Sequence, residues 1–120
     1  AEVVGVQSEA APAAYRSWRE RRLVEDAMGT SAEGLATRTA FELPQRVLWE
    51  HLSDFVLVGE DDLRAAQRLM IEKTRTLVEA AGASPLAAAL KLRELRGRRV
   101  ALICTGANAT LAQLRAVLAP

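Results

Sequence analysis

Apolar residues along this chain form either short continuous runs or longer stretches with helical spacing. The clearest runs cover 3–6, 55–58 and 100–104, and turn-forming or polar residues follow each of them. Short apolar runs bounded in this way are typical of strands buried on both faces of a sheet. The pattern therefore predicts three strands, with helical segments between them.

The longest helical pattern covers 60–80, where apolar residues recur on one face and three acidic residues begin the segment. Gly82 is predicted to end this helix, and Ser84 with Pro85 to begin another that runs to Leu95. Further helices are predicted at 12–20, 44–52 and 110–118, while 21–39 is predicted to be loop with short helical turns. Alternation of strands and helices predicts an α/β fold, with helical layers on a parallel sheet.

Composition limits the class of protein. The chain has 120 residues, of which half are hydrophobic, so 1–120 suits one globular domain or a piece of one. The net charge of +1 gives no indication of a nucleic-acid partner. Arginine clusters lie at 16–22 and 96–99, but acidic residues accompany both, Glu20 within the first and Glu94 just before the second. The single cysteine cannot form an internal disulfide, which favours a reducing, cytoplasmic compartment. An apolar run begins at residue 3 without a preceding Met, so we expect the chain to begin inside a folded unit.

The most informative candidate site follows the third apolar run. Thr105-Gly106-Ala107-Asn108 supplies a hydroxyl, an amide and a flexible turn directly after residues 100–104. Ligands of open α/β sheets bind at the carboxyl ends of the strands. Thr105 could therefore contact a ligand, or its hydroxyl could simply cap a turn at the end of a strand.

Five short segments carry a family resemblance. They are Val4-Gly5-Val6-Gln7-Ser8-Glu9, Ala32-Glu33-Gly34-Leu35-Ala36, the segment 54–63, Val78-Glu79-Ala80-Ala81-Gly82-Ala83, and Thr105-Gly106-Ala107-Asn108. In this order and spacing they resemble the carboxyl-terminal part of the threonine/serine dehydratase and serine racemase family. These are fold-type II pyridoxal-phosphate enzymes, with a tryptophan synthase β-like, three-layer α/β domain. The resemblance implies that 1–120 is the C-terminal segment of a dehydratase large domain.

The resemblance also implies four cofactor-binding residues. Thr105 matches the hydroxyl that contacts the pyridine nitrogen, and Gly106 lets the backbone pass close to the ring. Glu79 matches a glutamate near the cofactor, although its helical spacing equally indicates a solvated surface carboxylate. Gly34 matches a glycine that borders the substrate, or it is an ordinary turn glycine.

The implied activity is that of a lyase, in which pyridoxal phosphate helps convert a β-hydroxy amino acid to a 2-oxo acid and ammonia. The family's cofactor-bearing lysine and phosphate-binding loop lie before this region, and neither Lys73 nor Lys91 lies in a similar motif. We therefore expect no catalytic residue here and no activity from this chain alone. The implied partners are the missing N-terminal part of the enzyme, an amino-acid substrate and a second copy in a dimer. Racemase activity of the whole enzyme, or a non-catalytic half that docks on a partner chain, remain alternatives.

Three further features, namely a metal-site position, the histidine and the cysteine, are weaker indications of function. Where serine racemase-like members bind a divalent cation through carboxylates, this chain has Gln7 and Ala13, which supply no anionic oxygen. We therefore expect this metal site to be lost or weak. His51 is expected to be structural, and Cys104 to be an inert residue at the end of a buried strand.

Overall fold

The computed structural model describes residues 1–119. Its elements are β1 (Val4–Ser8), α1 (Ala13–Glu20), α2 (Glu42–His51), β2 (Asp54–Val58), α3 (Glu60–Thr74), α4 (Ala80–Lys91) and α5 (Leu111–Leu118), with single 3₁₀ turns at Glu33–Leu35 and Arg93–Leu95. Within 1–119 no helix has both the length and the apolar character needed to span a bilayer.

The two strands form a parallel pair, in which Val4 is opposite Asp54 and Ser8 is opposite Val58. Because side chains alternate along a strand, the sheet presents two different faces. Phe55 lies on one face, with its ring edge-on to aromatic rings of α1. Val58 lies on the other face, in a core cluster with residues of α3 and α4. Helices therefore cover both faces, which confirms the expected three-layer α/β arrangement with a parallel sheet.

The main core lies between the sheet, α3 and α4. Leu63 of α3 and Val58 of β2 are fully enclosed there with Val78. The buried face of α4 consists of small residues, namely Gly82, Ala83, Ser84, Ala87 and Ala88. Small side chains let this helix lie close to its neighbours, so α4 contacts α3, both strands and the 3₁₀ turn at Glu33–Leu35.

The predicted helix boundaries between 60 and 95 are wrong. Helix α3 ends at Thr74, because Arg75 takes a left-handed conformation with φ of 57°. Helix α4 begins at Ala80, so Gly82 lies inside it rather than ending the previous helix. The helix then ends at Lys91 instead of continuing to residue 95.

Pro85 was expected to begin a helix but lies inside α4. A proline there has no N–H to donate to the carbonyl four residues earlier, which belongs to Ala81. The hydroxyl of Ser84 donates to this carbonyl oxygen instead, at 2.7 Å. The replacement bond explains why the Ser-Pro pair, a start signal in sequence, is tolerated within the helix.

The predicted third strand at 100–104 is not formed. Its residues are exposed and lack regular secondary structure, and Ile103 exposes 70% of its side chain. Cys104 is likewise exposed, in contrast to the expected buried position. A strand needs a neighbour to satisfy its backbone N–H and C=O groups, and the described residues place none beside this segment. The apolar run is therefore present without a paired strand among residues 1–119.

Replacement of Leu63 by alanine tests the assignment of this core. Leu63 is 1% exposed, so Leu63→Ala should lower the free energy of unfolding by about 2–5 kcal/mol. The matched control is Leu43→Ala, since Leu43 is 75% exposed and should change stability by less than about 0.5 kcal/mol. Urea unfolding followed by circular dichroism measures both. Equal losses in the two variants would contradict the assignment.

Candidate functional site

The turn predicted to bind a cofactor lies against the beginning of α4. The backbone N–H of Glu79, the residue just before α4, donates to the carbonyl oxygen of Gly106 at 3.3 Å. The Glu79 carboxylate lies over the Cα of Gly106, where a Cβ would come within 1.9 Å of Oε1. Gly106 also has a φ of 79°, a backbone conformation that residues other than glycine rarely adopt. Two predicted site residues distant in sequence are therefore in direct contact.

Two glycines allow backbone segments to approach this point. A Cβ on Gly82 would lie 2.3 Å from the carbonyl oxygen of Thr105. A Cβ on Gly34 would lie 2.8 Å from the Cβ of Ala81, in the first turn of α4. The first turn of α4 is thus the place where the loop carrying Gly34 and the turn carrying Thr105 both pack.

The structure therefore brings together all four residues expected to bind the cofactor, around the N-terminus of α4. Thr105, Gly106 and Gly34 are exposed, and Glu79 is partly buried. Glu79 does not lie on the outward face of a long helix, as helical spacing had suggested, because α3 ends five residues earlier. The exposed Thr105, the exposed Gly34 and the Glu79 carboxylate over Gly106 here form an open surface that can contact a ligand from one side.

Sequence reasoning missed the role of Gly82 at this surface. Gly82 was interpreted as a helix stop, yet it is a buried residue inside α4 that contacts the turn at 105–106. The available signal was a glycine followed by several good helix formers, which indicates a packing role as well as a helix end.

A carboxylate at the carboxyl end of the sheet holds the loop that leads to Gly34. Glu60 accepts hydrogen bonds from the Ser8 hydroxyl at 2.9 Å, the Thr30 hydroxyl at 2.6 Å, and both the backbone N–H and the hydroxyl of Ser31. Burial alone would raise the pKa of Glu60, but these hydrogen bonds outweigh it and lower the pKa from 4.5 to about 2. Four bonds occupy both oxygens, so Glu60 acts as a structural anchor.

Gln7 stands where the serine racemase-like members have a metal-binding carboxylate, and its side-chain amide is hydrogen-bonded within this chain. The Gln7 side chain is 5% exposed, accepts from the backbone N–H of Tyr15 at 3.0 Å, and donates to the Thr37 hydroxyl at 3.2 Å. Ala13 is fully buried. Among residues 1–119 no group of three or more His, Cys, Asp and Glu side chains is arranged to hold a metal ion. Loss of the metal site stays a prediction.

Neither lysine is placed at this surface. Lys91 forms an ion pair with Asp62 at 2.9 Å, and the hydrogen bond from this pair raises the pKa of the Lys91 ammonium. Lys73 is exposed near the end of α3. The residues present therefore fit one side of a cofactor ring, through the exposed Thr105 and the carboxylate of Glu79, but they offer no attachment point for it.

Comparison with known proteins decides the family. The family model described as pyridoxal-phosphate dependent enzyme matches residues 1–106. The chain belongs to this family. The family is dependent on pyridoxal phosphate, and the expected fold and cofactor are confirmed.

Individual relatives in the pyridoxal-phosphate family agree with this placement. The chain is similar to the L-threonine ammonia-lyase of Geobacter sulfurreducens, at 33% identity over 87% of this chain and 27% of the relative. It is 29% identical to the corresponding enzyme of Thermotoga maritima over 88% of this chain and 27% of the relative. Among solved structures, the processed threonine deaminase isoform 2 of Solanum lycopersicum matches with a TM-score of 0.86 and 26% identity, over 98% of this chain and 35% of that one.

Serine racemase from Dictyostelium discoideum is also similar in structure, with a TM-score of 0.81 and 28% identity over 92% of this chain and 36% of that one. The chain therefore spans about a quarter of the length of the curated relatives and about a third of these solved chains.

Replacement of Glu60 by glutamine tests the anchor at the end of the sheet. A carboxylate with a lowered pKa in the folded state stabilises the fold above its unfolded pKa of 4.5, and this contribution disappears as pH falls through about 2. Glu60→Gln should therefore be less stable than the parent at pH 7 by about 1–3 kcal/mol, and the difference should shrink between pH 4.5 and 2. Urea unfolding at several pH values measures it.

The control for this experiment is Glu50→Gln, because the Glu50 side chain is 75% exposed and its carboxylate lies 3.9 Å from the His51 ring. Its stability should equal that of the parent throughout. A pH-independent difference for Glu60→Gln would contradict the titration described above.

Proposed function

We propose that this chain is the C-terminal segment of the large domain of a pyridoxal-phosphate-dependent serine/threonine dehydratase. The observation that carries the proposal is the contact of the Thr105–Gly106 turn and Glu79 at the first turn of α4. The similarity to threonine ammonia-lyases supports the same reaction class. The whole enzyme would remove water from a β-hydroxy amino acid, and hydrolysis of the resulting enamine would yield a 2-oxo acid and ammonia.

Pyridoxal phosphate, when bound, supplies an electron-withdrawing ring. The contribution of this chain is the environment of the ring nitrogen. The Thr105 hydroxyl would share a hydrogen bond with that nitrogen, and a neutral hydroxyl does not compel the nitrogen to stay protonated as a carboxylate would. A ring whose nitrogen is not held protonated is less electron-withdrawing and would favour loss of a β-substituent. This property suits the elimination of water.

The other three residues shape the same surface in this proposal. Gly106 and Gly34 let the Glu79 carboxylate and Ala81 pack where their own side chains would lie, and this close packing would shape the surface that faces the ring and the substrate. The Glu79 carboxylate lies beside the turn and would border the ring. The lysine that holds the cofactor and removes the α-proton would come from the part of the enzyme outside this chain. The enzyme would be a cytoplasmic dimer.

A groove favours the docking of that further polypeptide on this chain. The groove has a volume of about 650 Å³ and lies on α4, between β1 and the extended segment 98–103. Its walls are largely apolar, and the ion pair between Arg98 and Glu2, at 3.0 Å, links the two walls. Val4 and Leu102 on opposite walls are each 38% exposed.

The occupant that fits this groove is an extended apolar strand. In residues 1–119, β1 pairs only with β2, so the other edge of β1 has free N–H and C=O groups. The segment 100–104 also has no partner strand, although its sequence is strand-like. A strand inserted between them would continue the sheet over α4. We assign this strand to the part of the enzyme that relatives possess outside the matched region. The same groove would serve a non-catalytic half that docks on a partner chain.

A chimaera tests the proposed activity. The matched 107-residue segment of the Thermotoga maritima L-threonine ammonia-lyase is replaced by the corresponding part of this chain. The chimaera should release ammonia from threonine or serine. Thr105→Val should lower kcat by roughly 10- to 100-fold through loss of a hydrogen bond worth about 1–3 kcal/mol, whereas Thr105→Ser should retain most activity.

The control is this chain alone with added pyridoxal phosphate, which should show neither ammonia release nor the absorbance of a lysine-bound cofactor. Ammonia release by the isolated chain would contradict the proposal. An unchanged kcat for Thr105→Val in a folded chimaera would contradict it as well.

A complementation experiment tests the groove. The Thermotoga enzyme lacking its matched segment is co-expressed with this chain, and the complex is isolated by a tag on one part. Leu102→Asp should lower recovery of the complex at least tenfold, because it places a charge in an apolar wall. The control Leu111→Asp changes a residue that is 73% exposed outside the groove and should recover the parent amount. Equal recovery of both variants would exclude docking at this groove.

A further inference from the structure

The first turn of α4 and the Thr105–Gly106 turn are in unusually close backbone contact. A Cβ on Gly82 would lie 2.3 Å from the carbonyl oxygen of Thr105 and 3.1 Å from that of Gly106. The first distance is shorter than real Cβ atoms tolerate, and the atom approached is backbone rather than the mobile end of a side chain. Only glycine at position 82 permits this contact.

The turn also has little freedom to move away. The Gly106 carbonyl accepts the Glu79 N–H at 3.3 Å, and the φ of Gly106 is 79°. Glycine inside a helix is less favourable than alanine, and the neighbours of Gly82 in α4 are mostly alanines. Helix stability alone would therefore favour alanine at this position, whereas the contact with the turn requires glycine.

We propose that Gly82 is a positioning residue that sets the place of the Thr105 hydroxyl through direct backbone contact. This inference rests on the proposed function for its effect on catalysis, but the contact itself can be tested separately. To reach the shortest distance that Cβ atoms show, 3.0 Å instead of 2.3 Å, a Cβ at position 82 must push the Thr105 backbone outward by at least 0.7 Å. The hydroxyl belongs to the same residue and must move with it, and misplacement of a contacting group by about 1 Å can cost roughly 100-fold in rate.

The contact is tested first in this chain by hydrogen exchange and fluorine resonance. Cys104 is the single cysteine, is exposed and precedes Thr105, so a trifluoromethyl label on it reports on the turn. Gly82→Ala should accelerate exchange of the Glu79 amide at least tenfold and shift or broaden the fluorine signal. Amides of the β1–β2 pair should exchange as in the parent.

The matched control is Gly29→Ala, where a Cβ would lie 3.6 Å from the Ala10 carbonyl oxygen, an ordinary contact. It should leave both signals unchanged. If Gly82→Ala fails to fold, Gly106→Ala replaces it, because a Cβ there meets the Glu79 carboxylate and should also accelerate Glu79 exchange. Parent-like Glu79 exchange and an unchanged fluorine signal in the folded variant would overturn the proposal.

The catalytic consequence is tested in the chimaera by a double-mutant cycle. If Gly82 acts through Thr105, Gly82→Ala alone should lower kcat by at least tenfold but add less than threefold to Thr105→Val. A general structural role would make the two losses multiply, and that result would overturn the positioning role. If Thr105→Val has no effect while the contact in the isolated chain is confirmed, the proposed function fails and the contact stands.

Discussion

The close packing of α4 is the constraint on which the rest of this structure depends. Its buried face has no side chain larger than that of serine, so backbone segments can approach it from several directions. The sheet and α3 pack on it to form the core, and the loop with Gly34 and the turn with Gly106 pack on its first turn. One helix with small side chains thus links the stability of the core to the geometry of the candidate site.

The carboxyl ends of the two strands serve a different purpose. There Glu60 accepts four hydrogen bonds and anchors Thr30 and Ser31, while the Gln7 amide connects β1 to α1 and Thr37. These polar groups are satisfied within the chain itself, and buried polar groups with complete hydrogen bonding rigidify a fold. In contrast, Thr105 is exposed. The proposed cofactor contacts are therefore placed beside α4, where polar groups are not already used within the chain.

The partial coverage of relatives in the pyridoxal-phosphate family agrees with the exposed apolar groove on this chain. The chain covers about a quarter of its curated relatives, and its sheet has two strands in the described residues. Apolar side chains of β1 and of residues 100–104 remain exposed on the two walls of the groove. Helix α4 forms the base of the groove between them. The small two-stranded sheet of residues 1–119 and the apolar groove beside it are the features on which the proposed docking of further polypeptide rests.

The sequence by itself determined the α/β class, the strands at 3–6 and 55–58 within a parallel sheet, and the family, because these depend on apolar periodicity and on short motifs in order. That the two strands are direct neighbours came from the structure. It also indicated Thr105, Gly106, Glu79 and Gly34, but through resemblance rather than through any pattern that places them together.

Only the tertiary structure decided the end of α3 at Thr74, the inclusion of Gly82 and Pro85 within α4, and the unpaired state of 100–104. The end of α3 and the tolerance of Pro85 depend on local geometry, namely the left-handed Arg75 and the hydrogen bond from the Ser84 hydroxyl to the Ala81 carbonyl. The place of Gly82 and the state of 100–104 depend on residues distant in sequence. Gly82 is needed because a carbonyl more than twenty positions away lies against it. The segment 100–104 is not a strand, because no strand among residues 1–119 pairs with it to satisfy its backbone.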